Sequence, residues 1–343
     1  MLEGTWFIIW GLLWAIYFIL DGFDFGLGTM LPFVAKNDAE RRIMYNAAGP
    51  FWDGNEVWLI TAGGVTFAAF PTAYAVMFSA LYAPLLILLF GLIIRAVSFE
   101  FRNKVDCGKW RKAWDTCHII GNFVPALLLG VAFGNLFLGI PIDGDGVYHG
   151  NILKLLNTYG LVAGILFVMM FCMHGMIWLA IKSSSILHDR AVSLAKNLWW
   201  WVTSIAVVFL IMTYTYTDLF NNYLELPVLF LLPILAVAAL FASRLMLQLG
   251  RIVYAWACSA AFIGLVTLFG VVGMFPRLIP SSLNPDFSLT IHNAASSPFT
   301  LKIMLVVALI TVPIVIGYQT WVFFTFSHKV TEEELASKTA YYY

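Results

Sequence analysis

The sequence predicts an all-α integral membrane protein that crosses the bilayer nine times, with its N-terminus outside and its C-terminus in the cytoplasm. Composition is the first observation behind this. Of 343 residues, 61% are hydrophobic and 11% charged, and the mean hydropathy is +0.86; soluble domains carry about 25% charged residues. The second is a set of runs without any charge: 71–94, 116–142, 155–181, 197–217, 226–243, 252–276 and 303–327. Each is close to or beyond the roughly 18–20 residues with which a helix spans a hydrocarbon core. Membrane β-strands would be shorter and would alternate, which excludes a barrel. The third is the uneven distribution of basic residues between loops.

The first helix is expected over about 5–33, where only Asp21 and Asp24 of "FILDGFDFGLG" interrupt the apolar run. Residues 57–94 then form one uncharged stretch of 38. As a single helix it would reach about 57 Å, nearly twice a ~30 Å core. Proline disfavours helix in the residue before it, so Pro71 divides this region into helices at about 52–70 and 73–101. The others follow the uncharged runs at about 116–142, 155–181, 197–219, 226–247, 251–276 and 302–328. The connection 277–301 is rich in Pro, Ser and Asn and reads as an ordered external loop. The final "TEEELASKTAYYY" reads as a short solvated tail. The chain, 1–343, is thus expected to be a single polytopic membrane domain.

Nine crossings place Lys36, Arg41, Arg42, Arg102, Lys104, Lys109, Arg111, Lys112, Lys182, Arg190, Lys196, Arg244, Arg251, Lys329 and Lys338 on one side. Only Lys154, Arg277 and Lys302 fall on the other. By the positive-inside rule the first side is cytoplasmic. Eight crossings would put the "RR" and "RNKVDCGKWRK" loops on opposite faces. The 19 basic and 19 acidic residues cancel, giving no sign of a nucleic-acid partner. "MLEGTWFII" lacks the basic start of a secretory signal. The four cysteines, Cys107, Cys117, Cys172 and Cys258, have no metal-binding spacing and read as structural.

Five acids then gather in the cytoplasmic half of the first three helices. Asp21 lies about 24 Å along a helix starting at residue 5, just past the midplane, and Asp24 lies one turn deeper on the same face. Asp53 and Glu56 open the second helix with the same spacing, and Glu100 closes the third. Carboxylates at membrane depth are costly and usually face a bundle interior or a water-filled cavity. The pattern therefore suggests a proton pathway through Asp21, Asp24, Asp53, Glu56 and Glu100. Two plainer roles compete: Arg95 can pair with one acid, and Asp53 can cap its helix. Gly22 and Gly26 form a small face that admits a close helix neighbour. Of six histidines only His174 lies well inside a span, beside Met169, Met170, Met173 and Met176. Methionine is common packing in apolar helices, so no haem, copper or iron–sulfur site is expected on this chain, and no catalytic or metal-ligating residue is assigned. Aromatic clusters such as "LWWWV" read as interfacial belts.

The blocks "LDGFDFGLG", "RRIMYNAAGPFWDGNEVWLITAGGVTFAAFP", "IIRAVSFEFRNK", "WRKAWD", "GVAFGNLFLGIP" and "GMFPRLIPSSLNPDFSLTIHNAASSPFTLKIM" resemble subunit II of cytochrome bd-type quinol oxidases. The resemblance covers most of the chain and is strongest at 20–140 and 273–304. It implies two four-helix bundles plus one extra helix, in a multi-pass protein of the bacterial cytoplasmic membrane. It also implies a partner subunit I that carries two b-type haems and one d-type haem and oxidises quinol. Membrane lipid, quinone and a small single-helix subunit are further partners it allows. The family's intramembrane acids map onto Asp21, Asp24 and Asp53, and the charge closing the third helix onto Glu100. The expected function is that of a haem-free subunit that stabilises subunit I and supplies cytoplasmic protons for reduction of dioxygen to water. A proton-coupled secondary transporter, with acids binding a coupling ion, and a purely structural scaffold are the alternatives.

Overall fold

A computed structural model describes residues 2–331 together with 333 and 335. The chain opens with α1 (Leu2–Val34), α2 (Asp38–Ala48), α3 (Trp52–Ala69), α4 (Pro71–Ala80), α5 (Tyr82–Phe101) and α6 (Gly108–Leu138). It continues with α7 (Ile152–Leu155), α8 (Thr158–Lys182), α9 (Ser185–Tyr216), α10 (Phe220–Glu225), α11 (Leu231–Gln248), α12 (Ile252–Met274) and α13 (Pro298–Thr325). Among the described residues, eight helical segments are long and apolar enough to cross a membrane. The 18-residue α3, which carries Asp53 and Glu56, is not one of them.

Local chemistry sets the boundaries. Asn37 caps α2 by accepting from the Glu40 amide at 2.8 Å, and the Glu40 carboxylate returns to the Lys36 amide at 2.7 Å, a reciprocal arrangement that satisfies amides at the helix start. Phe70 leaves the helical region and Pro71 takes the first turn of α4, where its missing N–H costs nothing. The helix expected over 73–101 is not continuous: it breaks at Leu81 between α4 and α5. Pro84 supplies the reason, since it cannot donate to the Ala80 carbonyl and its ring crowds that oxygen.

Helix α1 is the hub, packing on α3, α6, α8 and α12. On one side α3 leads through α4 and α5 to α6; on the other α8, α9, α11 and α12 form a ring. The small face expected at Gly22 and Gly26 receives α8. A Cβ at Gly26 would overlap the Phe171 carbonyl, and one at Gly175 would lie 2.7 Å from the Leu27 amide nitrogen. Backbones therefore meet there without side chains between them. Indole donors tie α1 to its other neighbours: Trp10 to Thr66 Oγ1 at 2.9 Å and Trp6 to the Leu301 carbonyl at 3.1 Å.

The connection after α12 holds a short antiparallel pair, β1 (Arg277–Ile279) with β2 (Leu289–Thr290). It is stitched to the end of α6 through Ile140, whose amide donates to Pro280 and whose carbonyl accepts from Ser282, both at 3.0 Å. Helix α13 is the least buried of the long helices, with only Leu301 buried. The tail expected to be solvated, 331–343, lies largely outside the described residues; within it, the Leu335 carbonyl accepts from Arg42 at 3.2 Å.

Candidate functional site: a buried arginine among carboxyl groups

Arg95, on α5, is completely buried. Its backbone sits against α6 at Gly121, where a Cβ would come within 2.8 Å of the Arg95 amide nitrogen. That close approach leaves the side chain room only toward α1 and α3. Its Nη2 lies 2.8 Å from Asp21 Oδ1 and 2.5 Å from Glu56 Oε1, and its guanidinium stacks 4.5 Å from the centre of the Phe25 ring. Asp21 is as buried as Arg95, whereas the Glu56 side chain keeps 22% of its surface exposed. Glu56 is thus the member of the triad with surface exposed on this chain. Tyr17, one turn before Asp21 on the same face, buries its hydroxyl beside the Asp21 carboxyl group.

Asp24 is held differently. Asn55 Nδ2 donates to its Oδ2 at 2.7 Å and to the Leu20 carbonyl at 3.0 Å. Gln319 of α13 donates to the Gly54 carbonyl at 3.0 Å and accepts from Trp58 Nε1 at 2.7 Å. Oδ1 of Asp24 is buried without a hydrogen-bond partner among the described residues. The cluster therefore places one guanidinium among three carboxyl groups. A buried charge without a counter-charge is strongly unfavourable, and of the two buried carboxyl groups only Asp21 has the guanidinium against it.

The structure brings Asp21, Asp24, Glu56 and Arg95 together and leaves Asp53 and Glu100 apart. Asp53 is exposed in the first turn of α3, where its Oδ1 accepts from the Gly54 amide at 2.7 Å. A carboxylate there also suits the helix dipole. Glu100 is exposed one residue before the end of α5.

Asn55 was not anticipated from the sequence, although it lies inside "GNE" next to Glu56. A second polar cluster was also missed. Arg102 donates to Asp115 at 2.6 Å and to Asp38 at 2.7 Å, and Arg41 reaches Asp115 at 2.5 Å. The Tyr45 hydroxyl donates to Asp115 at 3.3 Å. The available signal was an acid eight residues into a helix that is otherwise uncharged from there on. His118 lies between Tyr45 and Phe99 with Nδ1 2.8 Å from Ser98 Oγ. His174 has both ring nitrogens engaged, Nδ1 with Ser259 Oγ at 2.6 Å and Nε2 with the Ile19 carbonyl at 3.1 Å. The four cysteines are free thiols. Among the described residues no group of three or more His, Cys, Asp or Glu is placed to hold a metal ion.

Known proteins resemble this chain along its whole length. It is 35% identical over 333 residues to cytochrome bd ubiquinol oxidase subunit 2 of Bacillus subtilis, covering 97% of this chain and 98% of that one. It is 34% identical over 370 aligned positions to cytochrome bd-I ubiquinol oxidase subunit 2 of Escherichia coli K12, covering 99% and 98%. A probable cytochrome oxidase subunit 2 of Haemophilus influenzae is 36% identical, with 93% of each chain covered. The fold matches a chain of the bd oxidase from Geobacillus thermodenitrificans with a TM-score of 0.77, at 17% identity and over 95% and 98% of the two chains. The family model for cytochrome bd terminal oxidase subunit II spans residues 2–326. Hydrophobic helices, whole-length relatives and fold converge: this chain is a multi-pass protein of the bacterial cytoplasmic membrane and belongs to the cytochrome bd terminal oxidase subunit II family.

Proposed function

We propose that this chain is the haem-free subunit of a quinol:oxygen oxidoreductase, that it braces a haem-bearing subunit I, and that it carries protons from the cytoplasm toward that subunit. The observation that carries the proton role is the buried guanidinium shared between Asp21 and Glu56, with Asp24 one turn away and no cation of its own. Asp53 and Glu100, exposed at the ends of α3 and α5, collect protons at the mouth. Glu56 passes them to Asp24 and Asp21, of which Asp21 lies farther from the cytoplasm. In this reading α3 is a ninth crossing, which keeps the basic loops on the cytoplasmic side.

In keeping with a haem-free chain, His174, the histidine deepest in a span, has both ring nitrogens engaged and none left for an iron. The haems and the quinol site then belong to subunit I, and quinone, lipid and a small accessory subunit remain candidate neighbours. Against a transporter, the buried acids among the described residues are Asp21, Asp24 and Asp115. All lie in α1 or α6, whereas paired repeats of a transporter would carry matching sites in both halves.

The tight Arg95–Asp21 pair favours the scaffold as second reading, and one experiment separates the two. Quinol oxidase turnover and proton uptake are measured for Asp21→Asn and Asp53→Asn in the assembled, haem-containing complex. Proton conduction predicts slowed turnover and uptake in both. Wild-type rates in a fully assembled complex exclude the proton role. Impaired assembly by Asp21→Asn together with normal rates in Asp53→Asn supports the scaffold.

A further inference from the structure

We infer that the cavity between the C-terminal end of α1, the start of α2 and the first turns of α6 binds the headgroup of an anionic phospholipid. The cavity measures about 570 Å³, and its polar wall carries Lys36, Arg41, Arg111 and Lys112. Two of these cations are already matched. Arg41 is bound to Asp115, and Arg111 is bound to Asp106 and lies 3.8 Å from Asp38. Buried Arg102 shares Asp115 and Asp38 from behind. Four cations and two carboxylates, Asp38 and Asp115, thus line the cavity, an excess of two. Among the described residues neither the Lys36 nor the Lys112 ammonium is paired with a carboxylate, and both side chains are exposed.

The apolar part of the lining points to a lipid rather than a soluble anion. Leu31, Pro32 and Ile119 also line the cavity. They lie four to seven residues from Lys36 and Lys112 in the direction that runs into the bundle, along α1 and α6 respectively. At 1.5 Å per residue that is about 6–10 Å deeper. Lys36, just past the end of α1, and Lys112 on α6 thus stand at the membrane boundary, with exposed Pro32 and half-buried Ile119 below them, as a phosphate followed by acyl chains requires. Gly108, at the open N-terminus of α6, also lines the site, and the helix dipole adds to the field that favours an anion. Basic residues at this depth each contribute to attraction of anionic lipid.

The test uses the full-length chain purified with its co-isolating subunits, delipidated and placed in nanodiscs of phosphatidylglycerol or phosphatidylcholine. Lipid retained on release is counted by native mass spectrometry. The site predicts preferential retention of phosphatidylglycerol. It predicts that Lys36→Gln/Lys112→Gln reduces that preference by about tenfold or more. Lys154→Gln/Lys302→Gln, exposed on the far side, should leave it intact. Equal retention of the two lipids, an unaffected double variant, or displacement of the lipid by glycerol 3-phosphate at equal concentration would each overturn the inference. The last result would identify a soluble-anion site instead.

Discussion

Replacing Arg95 by Gln removes the only guanidinium from a site where Asp21 is wholly buried. Breaking a buried pair by deleting one partner costs about 3–5 kcal/mol, because the remaining charge is stranded. The lost stacking on Phe25 adds about 0.5–2 kcal/mol. Asp21→Asn is expected to cost less, about 1–3 kcal/mol, because Arg95 keeps Glu56 at 2.5 Å. Glu56→Gln should cost least of the three, since Glu56 is the partly exposed member and leaves Arg95 paired with Asp21. In the Arg95→Gln/Asp21→Asn double variant neither charge is stranded, so its cost falls below the sum of the singles by about 2 kcal/mol. The assay is unfolding of the purified protein in mixed detergent, followed by tryptophan fluorescence, with the coupling taken from the double-mutant cycle. Additivity within about 0.5 kcal/mol, or a larger penalty for Asp21→Asn than for Arg95→Gln, would refute the electrostatic account.

Gly26→Ala should drive α1 from α8, because the new Cβ meets the Phe171 backbone carbonyl rather than a movable side chain. Overpacking of this kind costs about 1–3 kcal/mol or more, and a thermal midpoint equal to wild type would contradict the packing. Asp143, in the connection after α6, accepts from His149 Nε2 at 2.6 Å and from the Val147 and Asp145 amides at 2.9 and 3.0 Å. The bond from His149 and these amides hold its carboxyl below the usual carboxylate range. A carboxyl depressed in the folded state stabilises above its unfolded value of about 3.9 and loses that contribution as pH falls through the folded value. Hydrogen-exchange protection at 143–149 should therefore persist from pH 7 to pH 5 and fail only below about pH 4. Loss beginning near pH 6 would show that Asp143 does not organise this loop.

Much of this protein was legible from the sequence because lipid solvation is a local property. A run of apolar residues must form a helix in a bilayer whatever its neighbours are, so the long spans and the break at Pro71 follow from the chain alone. The same rule made Asp21 and Asp24 conspicuous, as charges with no local reason to be where they are. The break at Leu81 was legible in principle, since Pro84 stands three residues later, but the apolar run hid it.

Partnership is a different kind of information. Arg95 lies 74 residues from Asp21 and 39 from Glu56, and its choice of these two carboxylates depends on how α1, α3 and α5 are rotated about their axes. Those rotations are set by close backbone approaches, α1 against α8 at Gly26 and α5 against α6 at Gly121. They also turned Asp53 and Glu100 outward, selected Asn55 as the partner of Asp24 and assembled the Arg102–Asp115 cluster. Sequence by itself determined a polytopic helical membrane chain with acids buried near one end. Tertiary packing alone decided which acids share a cation and which face water, because such contacts are fixed by helix rotation, which apolar runs do not encode.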